Sequence, residues 1–379
     1  MSEAMRVAQV VGRMESGGVE AVVMNYYRAM EKEKVQFDFF VDETSSFPQR
    51  KELEQLGAGI YLVPPYTKPV QFHKALYKQF KASGYKIVHA HINTMNVFPL
   101  FTAWRAKVPV RICHNHSTAH WGERKKTLLK YLLRPFAKVF ATDYFACGEQ
   151  AGRWMYGNQC FDEGKVSVIP NAIDTKRFEY DPEARIRLRM ELGIPQDAFV
   201  IGHVGRFTYA KNQSFLLEVF HQFLRQWPGS YLLLVGEGEL KHLLKEKAKQ
   251  LSITEHTLFT GVRRDVDKLY SAMDVFCLPS FYEGGPVVAL EAQASGLNCV
   301  CSDKVPHEID LSRKVCHLPL QPQDTARWCE QLRIEDGENS RKVPELPELV
   351  EKFDIFCVAR KIQQFYLNRG AYENNLQQP

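Results

Sequence analysis

The sequence predicts an α/β protein made of two doubly wound domains, each with a parallel sheet covered by helices. Short apolar segments of strand length alternate with amphipathic helical segments along most of the chain, a pattern typical of parallel strands buried on both faces. The alternation stops near residue 170 and then starts again. The length of 379 residues also accommodates two to three domains at ~150 residues each.

The first half contains a series of strand candidates, and helical patterns at 19–30, 72–81 and 128–140 lie between them. The predicted strands are 7–11, 37–41, 60–63, 87–91, 110–113, 144–146 and 166–169. Apolar strands that are each followed by a helix predict repeated βαβ units.

The second half repeats this arrangement, with helical patterns at 213–226, 239–251 and 287–295. The predicted strands are 199–204, 231–235, 258–260, 275–278 and 299–302. Doubly wound sheets bind ligands at the carboxyl ends of their strands. Two such domains joined in sequence are therefore expected to face a central cleft.

A linker is predicted between the two halves. The segment Pro170-Asn171-Ala172-Ile173-Asp174 has no strand pattern and opens with a Pro-Asn pair, which favours a turn. The charged stretch 180–189 follows it. We therefore expect an N-terminal Rossmann-like domain at residues 1–172 and a C-terminal Rossmann-like domain at 173–350.

The remaining segment, 351–379, is predicted to hold one helix and a tail. Residues 353–367 carry an apolar stripe at helical spacing, and this helix is a candidate to cross back to the first domain. The tail at 368–379 is polar and is expected to be frayed. The polar stretch 334–343 before the helix is expected to be a loop.

The composition excludes several classes of protein. Hydrophobic residues make up 45% and charged residues 25% of the chain, as in ordinary globular proteins and unlike disordered or fibrous ones. No apolar run approaches the ~20 residues that span a bilayer, and the first residues do not resemble a signal peptide. The nine cysteines form no Cys-x-x-Cys pair, which favours free thiols and a cytoplasmic protein.

Charge is unevenly distributed along the chain. Residues 1–178 carry 25 Lys and Arg against 16 Asp and Glu, whereas the second half is net negative. A basic half attracts anions, and by itself this leaves phosphates, acidic lipid headgroups and nucleic acid open.

Glycines in the first predicted strand-to-helix turn indicate a place where a ligand approaches the backbone. Gly17 and Gly18 stand immediately before the predicted helix at 19–30, whose N-terminal N–H groups favour an anion. The spacing differs from the dinucleotide-binding fingerprint, which disfavours a nicotinamide cofactor. A tight turn without a ligand explains the glycines equally well.

Two cations follow the first strand of the second half. Arg206 comes directly after Gly205, and Lys211 is five residues further on. An arginine fork and a lysine point charge together suit a diphosphate. Taken alone, the pair is also compatible with two solvated surface cations.

Two glutamates occur near a later strand. Glu283 lies in the loop after the predicted strand 275–278, and Glu291 lies about a turn and a half into the following helix, among apolar neighbours. A buried carboxylate is costly unless it is hydrogen-bonded, and ribose hydroxyls would satisfy it. A helix-capping glutamate together with a buried ion pair is the structural alternative.

These segments together resemble glycosyltransferase family 4, whose members are retaining enzymes of the GT-B fold. The pattern Pro-Ser-x-x-Glu-Gly-x-Pro-x-x-x-x-Glu-Ala around Glu283 and Glu291 is similar to the signature of that family, and the resemblance covers about residues 5–303. The other matching segments, in order, are Gly17-Gly18, Pro170-Asn171-Ala172-Ile173-Asp174, Gly205-Arg206-Phe207 with Lys211, Gly236-Glu237-Gly238, and Gly261-Val262-Arg263-Arg264-Asp265-Val266.

The resemblance implies a role for each matching residue. Arg206 and Lys211 would hold the donor diphosphate, with backbone N–H groups of Gly17 or Gly18 opposite them. Glu291 would bind the ribose hydroxyls. Glu283, Gly284 and Gly285 would contact the donor sugar, and Val262 would flank the base. The resemblance thus implies that 173–350 is the nucleotide-sugar-binding domain and 1–172 the acceptor-side domain.

The resemblance also implies a histidine of the first domain beside the donor sugar. Spacing leaves both His114 and His116 open, and His116 is favoured because the family residue usually begins the loop after the strand. His89 and His91 end the preceding strand and face the same region. Four histidines also fit a metal site, but the family needs no metal and no carboxylate lies within three residues of them. No metal is therefore expected.

The implied activity is metal-independent, retaining transfer of a hexose from a nucleotide-diphosphate sugar, with UDP favoured, to a glycan or lipid-linked acceptor. No cofactor and no nucleic-acid partner are expected. Residues 302–309 resemble a subgroup associated with bacterial exopolysaccharide and capsule assembly. The sequence departs from the family at Asn298, where a proline usually follows Ser-Gly-Leu.

Two other functions stay open at this point. One is another enzyme of similar fold, such as a nucleotide-sugar epimerase or a phosphorylase. The other is a catalytically silent partner subunit that binds sugar nucleotides. A silent subunit is expected to have lost a donor-site residue, whereas Arg206, Lys211, Glu283 and Glu291 are all present.

The segment 124–138 is a candidate for peripheral contact with an anionic membrane at its inner face. Leu128, Leu129, Leu132, Leu133 and Phe136 form one stripe at helical spacing, and a series of basic residues lies on roughly the opposite side. The basic series is Lys126, Lys130, Arg134 and Lys138. Packing of the stripe on the sheet is the alternative, and Pro135 is a possible point of interruption.

Overall fold

The computed structural model describes residues 4–15, 18–117, 124–333, 341 and 351–376. The chain divides into two compact units. The first consists of Met1–Ala172 with Lys352–Pro379, and the second consists of Ile173–Glu351.

The first unit is built on a parallel sheet. Its strands are β1 (Met5–Gly12), β2 (Val35–Asp42), β3 (Gly59–Val63), β4 (Ile87–Ala90), β5 (Val110–Asn115), β6 (Asp143–Ala146) and β7 (Val166–Val168). They are ordered β3-β2-β1-β4-β5-β6-β7, and every pair is parallel. The central strands are apolar on both faces because helices cover both sides, as continuous apolar runs predict.

The second unit has a sheet of the same design. Its strands are β8 (Val200–Val204), β9 (Tyr231–Val235), β10 (Thr257–Gly261), β11 (Val275–Leu278), β12 (Asn298–Ser302) and β13 (Val315–Leu318). Their order is β10-β9-β8-β11-β12-β13, again with all pairs parallel. The sequence pattern did not predict β13, whose residues are only partly buried at this edge of the sheet.

Helices connect the strands in both units. They are α1 (Gly18–Ala29), α2 (Arg50–Gln55), α3 (Pro69–Ser83), α4 (Val97–Arg105), α5 (Arg124–Phe140), α6 (Glu149–Tyr156), α7 (Asn158–Asp162), α8 (Pro182–Leu192), α9 (Gln213–Gln226), α10 (Lys241–Gln250), α11 (Val266–Ala272), α12 (Val287–Ala294), α13 (Thr325–Leu332) and α14 (Ile355–Leu376).

In each unit successive strands are first added toward one edge of the sheet and then, after one switch point, toward the other edge. In the first unit this switch lies between β1 and β4, and in the second it lies between β8 and β11. The loops that leave two such neighbouring strands run to opposite sides and open a crevice at their carboxyl ends. This crevice is where an open α/β sheet binds its ligand.

Most of the charged stretch at 180–189 belongs to helix α8 (Pro182–Leu192), which the sequence pattern did not predict. Asp181 caps α8 by accepting from the backbone N–H of Ala184 at 2.9 Å. Arg185 and Arg189 each donate to Asp274 at 2.7 Å, and the Arg189 side chain is fully buried. Two arginines of α8 thus face the protein while its apolar residues Ile186 and Met190 are exposed, so the apolar periodicity used to find helices does not reveal α8.

The last helix, α14, is longer than its apolar stripe predicts. It continues to Leu376, so the prediction of a frayed tail is wrong for residues 368–376. Its buried residues include Tyr366, while Phe356 of the predicted stripe is 50% exposed. Gln363 accepts from the backbone N–H of Glu31 at 2.9 Å. This contact ties α14 to the end of α1 in the first unit.

All nine cysteines are free thiols, as their spacing predicts. The predicted loop at 334–343 lies outside the described residues, apart from Arg341. No helix in the described part of the chain is long and apolar enough to cross a membrane.

Candidate functional site

The predicted cations and the first predicted glutamate lie on the two loops that flank the switch point of the second unit. Arg206 and Lys211 follow β8, with Lys211 at the end of a short 3₁₀ turn, Tyr209–Lys211. Glu283 lies in the loop between β11 and α12. The strand order therefore explains how residues more than seventy positions apart in sequence come together.

Backbone contacts fix the loop after β8. The N–H of Phe207 donates to the carbonyl of Glu237 at 2.8 Å. A Cβ at Gly236 or Gly238 would lie within 2.3 Å of the carbonyl oxygens of Gly205 or Phe207. The Gly-Glu-Gly segment is thus required for close packing of the loops after β8 and β9, because any side chain would separate them.

The loop after β11 is joined to the 3₁₀ turn that carries Lys211. The N–H of Phe281 donates to the carbonyl of Ala210 at 2.8 Å, and the rings of Tyr209 and Phe281 stack with centroids 4.8 Å apart. These two contacts hold Lys211 and Glu283 at a fixed separation.

Lys211 and Glu283 form a direct ion pair. Lys211 Nζ donates to Glu283 Oε1 at 2.6 Å, and the hydroxyl of Ser280 donates to the same oxygen at 2.6 Å. The two charged side chains are only 20% and 11% exposed. A pair this sheltered has a defined geometry, unlike a mobile surface ion pair.

Arg206 is exposed and forms no ion pair with any residue that the structure describes. The side-chain amide of Gln213, at the start of α9, fixes this loop by donating to the Arg206 carbonyl at 3.0 Å. A guanidinium without an internal carboxylate, beside an internally neutralised lysine, leaves net positive charge at this end of the sheet. That charge suits a diphosphate.

Glu291 lies on α12 and is largely but not completely buried, as its apolar neighbours predict. The hydroxyl of Tyr270 donates to Glu291 Oε2 at 2.7 Å. Burial raises the pKa of Glu291 to about 7, against the lowering effects of the Tyr270 hydrogen bond and the charge of Arg177. A carboxylate in this setting gains from additional hydroxyl donors, because they stabilise its ionised form.

The other predicted donor residues have varied surroundings. Val262 follows β10 and is 58% exposed, as a residue that flanks a base would need to be. Gly284 and Gly285 lie in the loop before α12. Gly18 begins α1 with open space where a side chain would be, and Gly17 lies outside the described residues.

The four predicted histidines lie together in the first unit. His91 directly follows β4 and His116 directly follows β5, while His89 and His114 lie inside these strands. All four side chains are 6% exposed or less. The predicted set is thus brought to one place beside the switch between β1 and β4.

Hydrogen bonds connect the four rings to two further side chains. His91 Nε2 lies 2.8 Å from Gln9 Oε1, and His91 Nδ1 lies 2.9 Å from His116 Nε2. His89 Nδ1 lies 2.6 Å from the Tyr366 hydroxyl, and His89 Nε2 lies 3.1 Å from His114 Nδ1. The amide of Gln9 donates to the Tyr366 oxygen at 3.2 Å.

The orientation of the Gln9 amide determines the tautomer of every ring. Its oxygen only accepts, so His91 carries its proton on Nε2 and accepts at Nδ1 from His116. On the other branch, Tyr366 accepts from Gln9 and donates to His89, which in turn donates to His114. Burial lowers the pKa of His116 to about 4, and burial also lowers the pKa values of the other three. The rings are therefore neutral near pH 7.

Each of the two hydrogen-bond chains that start at Gln9 ends at a ring nitrogen. His114 Nε2 and His116 Nδ1 are buried and have no partner at full hydrogen-bond geometry in the described part of the chain. The side chain of Asn171 nevertheless interacts with His116 and raises its pKa against the effect of burial. In the assigned tautomers His114 Nε2 is a donor and His116 Nδ1 an acceptor. Spacing left both histidines open, and the geometry does not choose between them.

Several residues of these sites were missed by sequence reasoning. Tyr270, Ser280 and Gln213 contact the predicted donor residues, while Gln9 and Tyr366 set the histidine tautomers. They are separated from their partners by as many as 357 positions. Ser280 belongs to the quoted Pro-Ser-x-x-Glu motif, which gave it no role. The signal that Gln9 offers is a polar side chain within the otherwise apolar strand β1.

Helix α5 has its apolar residues on the outside. Leu128, Leu132 and Val139 are each at least 60% exposed. The complete exposed apolar face of α5 consists of Leu128, Leu129, Tyr131, Leu132, Phe136 and Val139. The alternative in which the stripe packs on the sheet is therefore wrong, and α5 continues through Pro135.

The basic residues of α5 lie against the first unit. Arg134 lies over the ring of Trp154 at 5.8 Å, and Lys138 donates to the carbonyl of Tyr156 at 3.0 Å. The side chain of Lys126 lies outside the described set. The helix thus shows its apolar side to the surroundings, which is unusual for a protein surface.

Comparison with known proteins agrees with these features. Residues 184–311 match the family model "Glycosyl transferases group 1", and residues 16–177 match "Glycosyltransferase Family 4". The chain is 36% identical over 317 residues to the putative glycosyltransferase EpsF of Bacillus subtilis, covering 82% of each chain.

Two further proteins are similar to this chain. An Escherichia coli enzyme named UDP-Gal:alpha-D-GlcNAc-diphosphoundecaprenol alpha-1,3-galactosyltransferase is 28% identical over 299 residues, covering 76% of each chain. The crystal structure of Anabaena HepE in complex with UDP-glucose has a TM-score of 0.79 at 19% identity and covers 96% of this chain and 100% of that one.

These similarities confirm both the fold class and the family that the motifs predict. The family models together cover most of the two units, and both sheets have the doubly wound order. The chain therefore belongs to the group 1, family 4 glycosyltransferases and has the GT-B fold.

Proposed function

We propose that this glycosyltransferase is a retaining hexosyltransferase that takes its sugar from a UDP-linked donor. The observation that carries the proposal is the arrangement at the switch point of the second unit. There Arg206, which has no ion-pair partner among the described residues, accompanies the sheltered Lys211–Glu283 pair, whose charged atoms are 2.6 Å apart. A cationic group for the diphosphate and a fixed carboxylate for sugar hydroxyls are what a sugar-nucleotide donor requires.

The choice of UDP rests on similar proteins. The name of the Escherichia coli relative specifies UDP-galactose, and HepE was crystallised with UDP-glucose. Glu291, with the hydroxyl of Tyr270 on one oxygen, retains acceptor capacity for ribose hydroxyls. The exposed Val262 offers an apolar surface to a base.

In this proposal the chemistry is mainly electrostatic. Negative charge develops on the departing diphosphate in the transition state, and Arg206 and Lys211 stabilise it from fixed positions. Glu283 already accepts from Lys211 and Ser280, which fits a role in holding hydroxyls better than a role as a covalent nucleophile. We therefore favour attack by the acceptor on the same face from which the diphosphate leaves.

Metal ions and cofactors have no part in this mechanism. Lys211 and Arg206 supply the positive charge that a divalent ion supplies in other nucleotide-sugar sites. The family resemblance alone assigns one neutral histidine, His116 or His114, to the donor sugar.

The proposed acceptor is a glycan or a lipid-linked glycan in extracellular or capsular polysaccharide synthesis. The Escherichia coli relative is named for a diphosphoundecaprenol acceptor, which is lipid-linked. The exposed apolar face of α5 suits contact with the membrane that holds such an acceptor. We accordingly place the protein in the cytoplasm, in peripheral contact with the inner face of the membrane.

A thermal-shift panel of nucleotide sugars tests the donor assignment. A ligand that binds only the folded protein raises the unfolding midpoint by mass action, so UDP-sugars are expected to give the largest shift against GDP-, ADP- and dTDP-sugars. The best donor is then incubated without acceptor. Conversion of its sugar to an epimer would indicate an epimerase, and binding without any turnover on lipid-linked acceptors would indicate a silent subunit.

A further inference from the structure

A second cluster of metal-ligating side chains lies in the second unit, on residues that have no role in the proposed donor site. His307 begins a short 3₁₀ turn after β12, Asp310 ends that turn, and His317 lies on the edge strand β13. His307 Nδ1 is 3.2 Å from Asp310 Oδ2. His317 Nε2 is 3.1 Å from both carboxylate oxygens of Asp310.

The Nδ1 atom of His317 already has a hydrogen-bond partner. His317 Nδ1 lies 3.2 Å from the backbone carbonyl of Ser302, and a carbonyl only accepts, so this nitrogen carries a proton. In neutral His317 the other nitrogen, Nε2, then presents a lone pair to the carboxylate of Asp310. Two acceptors at 3.1 Å repel each other unless a cation lies between them. That cation is either a proton, since Asp310 raises the pKa of His317 against the effect of burial, or a metal ion.

The positions of the ligand atoms favour a metal ion as that cation. The three ligand atoms lie within 4.8 Å of one another, so a small rotation of the exposed His307 side chain brings all three to the ~2.0–2.2 Å at which one ion is bound. The rings of His307 and His317 are 3.9 Å apart at their centroids, so a proton on each would bring two positive rings into contact. A single ion shared by both rings and Asp310 avoids this repulsion.

The surroundings resemble those of metal-binding histidines. Such histidines usually donate their second ring N–H to a carbonyl or carboxylate, which fixes the ring. For His317 this acceptor is the Ser302 carbonyl. The side chain of His317 is only 9% exposed, whereas that of His307 is 73% exposed. The cluster therefore has one rigid ligand and one that is free to complete the site from solvent.

We propose that His307, Asp310 and His317 bind one divalent transition-metal ion of the zinc type. Two imidazoles and one carboxylate suit Zn²⁺, Co²⁺ or Ni²⁺ better than Mg²⁺ or Ca²⁺, which prefer oxygen ligands. With three protein ligands, water fills the remaining position. The ion ties the turn after β12 to the edge strand β13 and is separate from sugar transfer.

Titration with Co²⁺ tests the site without any donor or acceptor. We expect one Co²⁺ per chain, the visible absorption bands of a four- or five-coordinate ion, and displacement by Zn²⁺. His317→Gln and Asp310→Asn should each weaken binding at least tenfold. His242→Gln, which changes an exposed histidine of α10, should leave binding unchanged.

A thermal readout controls for loss of structure. Without metal, Asp310→Asn and wild type should unfold at similar temperatures, and only wild type should gain stability when Zn²⁺ is added. Binding that is unchanged in both His317→Gln and Asp310→Asn would overturn the proposal. So would the absence of stoichiometric binding to wild type, which would make the cluster a protonated histidine–aspartate pair. Neither outcome bears on the donor site.

Discussion

The surroundings of Glu291 predict a specific pH dependence of stability and of ligand binding. Burial raises its pKa to about 7, so the carboxyl is protonated over much of the range in which an ordinary glutamate is ionised. A raised carboxyl pKa stabilises the folded state below about pH 4.5, and this contribution is lost as the pH rises through about 7. Ligand hydroxyls that prefer the ionised form act in the opposite direction.

We therefore predict that UDP binding strengthens as the pH rises through about 7, because ionised Glu291 is the better acceptor. Glu291→Gln should weaken UDP binding and remove this part of the pH dependence. Isothermal titration at several pH values measures it. Glu255→Gln, an exposed glutamate, is the matched control and retains the titration of the nucleotide itself. A pH profile that is identical in wild type and Glu291→Gln would contradict the assignment.

Glu283 is predicted to behave differently from Glu291. Because Glu283 is assigned to the donor sugar, Glu283→Gln should lower turnover more than it lowers affinity for free UDP. The comparison needs steady-state kinetics and UDP titration of both variants. Equal and large losses of UDP affinity in Glu283→Gln and Glu291→Gln would show that the two roles are not separate.

The histidine tautomers give a prediction that needs no substrate. Tyr366→Phe leaves His89 Nδ1 and the Gln9 amide without a buried partner, which should lower the free energy of unfolding by about 1–3 kcal/mol. Denaturant unfolding measures this change, and nitrogen NMR of the rings reports a mixture of tautomers in place of one. Tyr77→Phe, on the exposed side of α3, should change neither. Unaltered ring tautomers in Tyr366→Phe would refute the assignment.

At the scale of elements, α5 shows why periodicity alone does not give orientation. The sequence predicted its apolar stripe, but a stripe has the same spacing whether it packs on a sheet or faces outward. The contacts of Arg134 with Trp154 and of Lys138 with Tyr156 direct the stripe away from the first unit. These contacts involve residues of α6, so no pattern within α5 contains them.

We predict that the exposed apolar face of α5 binds anionic membranes. Wild type should co-sediment with phosphatidylglycerol vesicles at low salt. High salt should release only a minor part of it, because the exposed face is apolar and each basic residue near the surface adds only ~1 kcal/mol. A triple variant with Leu128, Leu132 and Phe136 changed to Gln should stay in the supernatant. Since these residues are exposed, the variant should remain folded.

The control for this experiment changes exposed apolar residues elsewhere. Met190→Gln with Leu243→Gln removes two such residues from the second unit and should leave sedimentation unchanged. Equal pelleting of wild type and the α5 variant, or no pelleting of wild type at low salt, would show that the apolar face of α5 does not bind membranes.

At the scale of the whole molecule, the parallel sheets were predictable because their strands are apolar on both faces. The prediction failed where structure depends on distant partners. Helix α8 is recognised only once Arg185 and Arg189 are seen to pair with Asp274. For the same reason the motifs located Glu283 and Glu291, but their hydrogen-bond partners Ser280 and Tyr270 emerge only from the fold.

Sugar transfer is predicted to survive chelation. Treatment with EDTA should leave the rate nearly unchanged, because Arg206 and Lys211 already stabilise the leaving diphosphate. The measurement is the transfer rate before and after chelation, with readdition of Mg²⁺ as the control. An absolute requirement for a divalent ion would return the four-histidine cluster to consideration as a metal site.

The two cations of the donor site differ as probes of its function. Lys211 is paired with Glu283, so Lys211→Ala leaves a sheltered carboxylate unpaired and should lower stability as well as turnover. Arg206 is exposed and has no such partner among the described residues. Its replacement therefore isolates the contribution to catalysis.

The most direct test of the donor site is the transfer rate of Arg206→Ala with the donor identified by the panel. Arg225→Ala, an exposed arginine of α9, is the matched control and should behave as wild type. If Arg206 stabilises the departing diphosphate, its loss should cost on the order of 2–4 kcal/mol of transition-state stabilisation, with an unchanged unfolding temperature. A folded Arg206→Ala protein that transfers sugar at the wild-type rate would contradict the account.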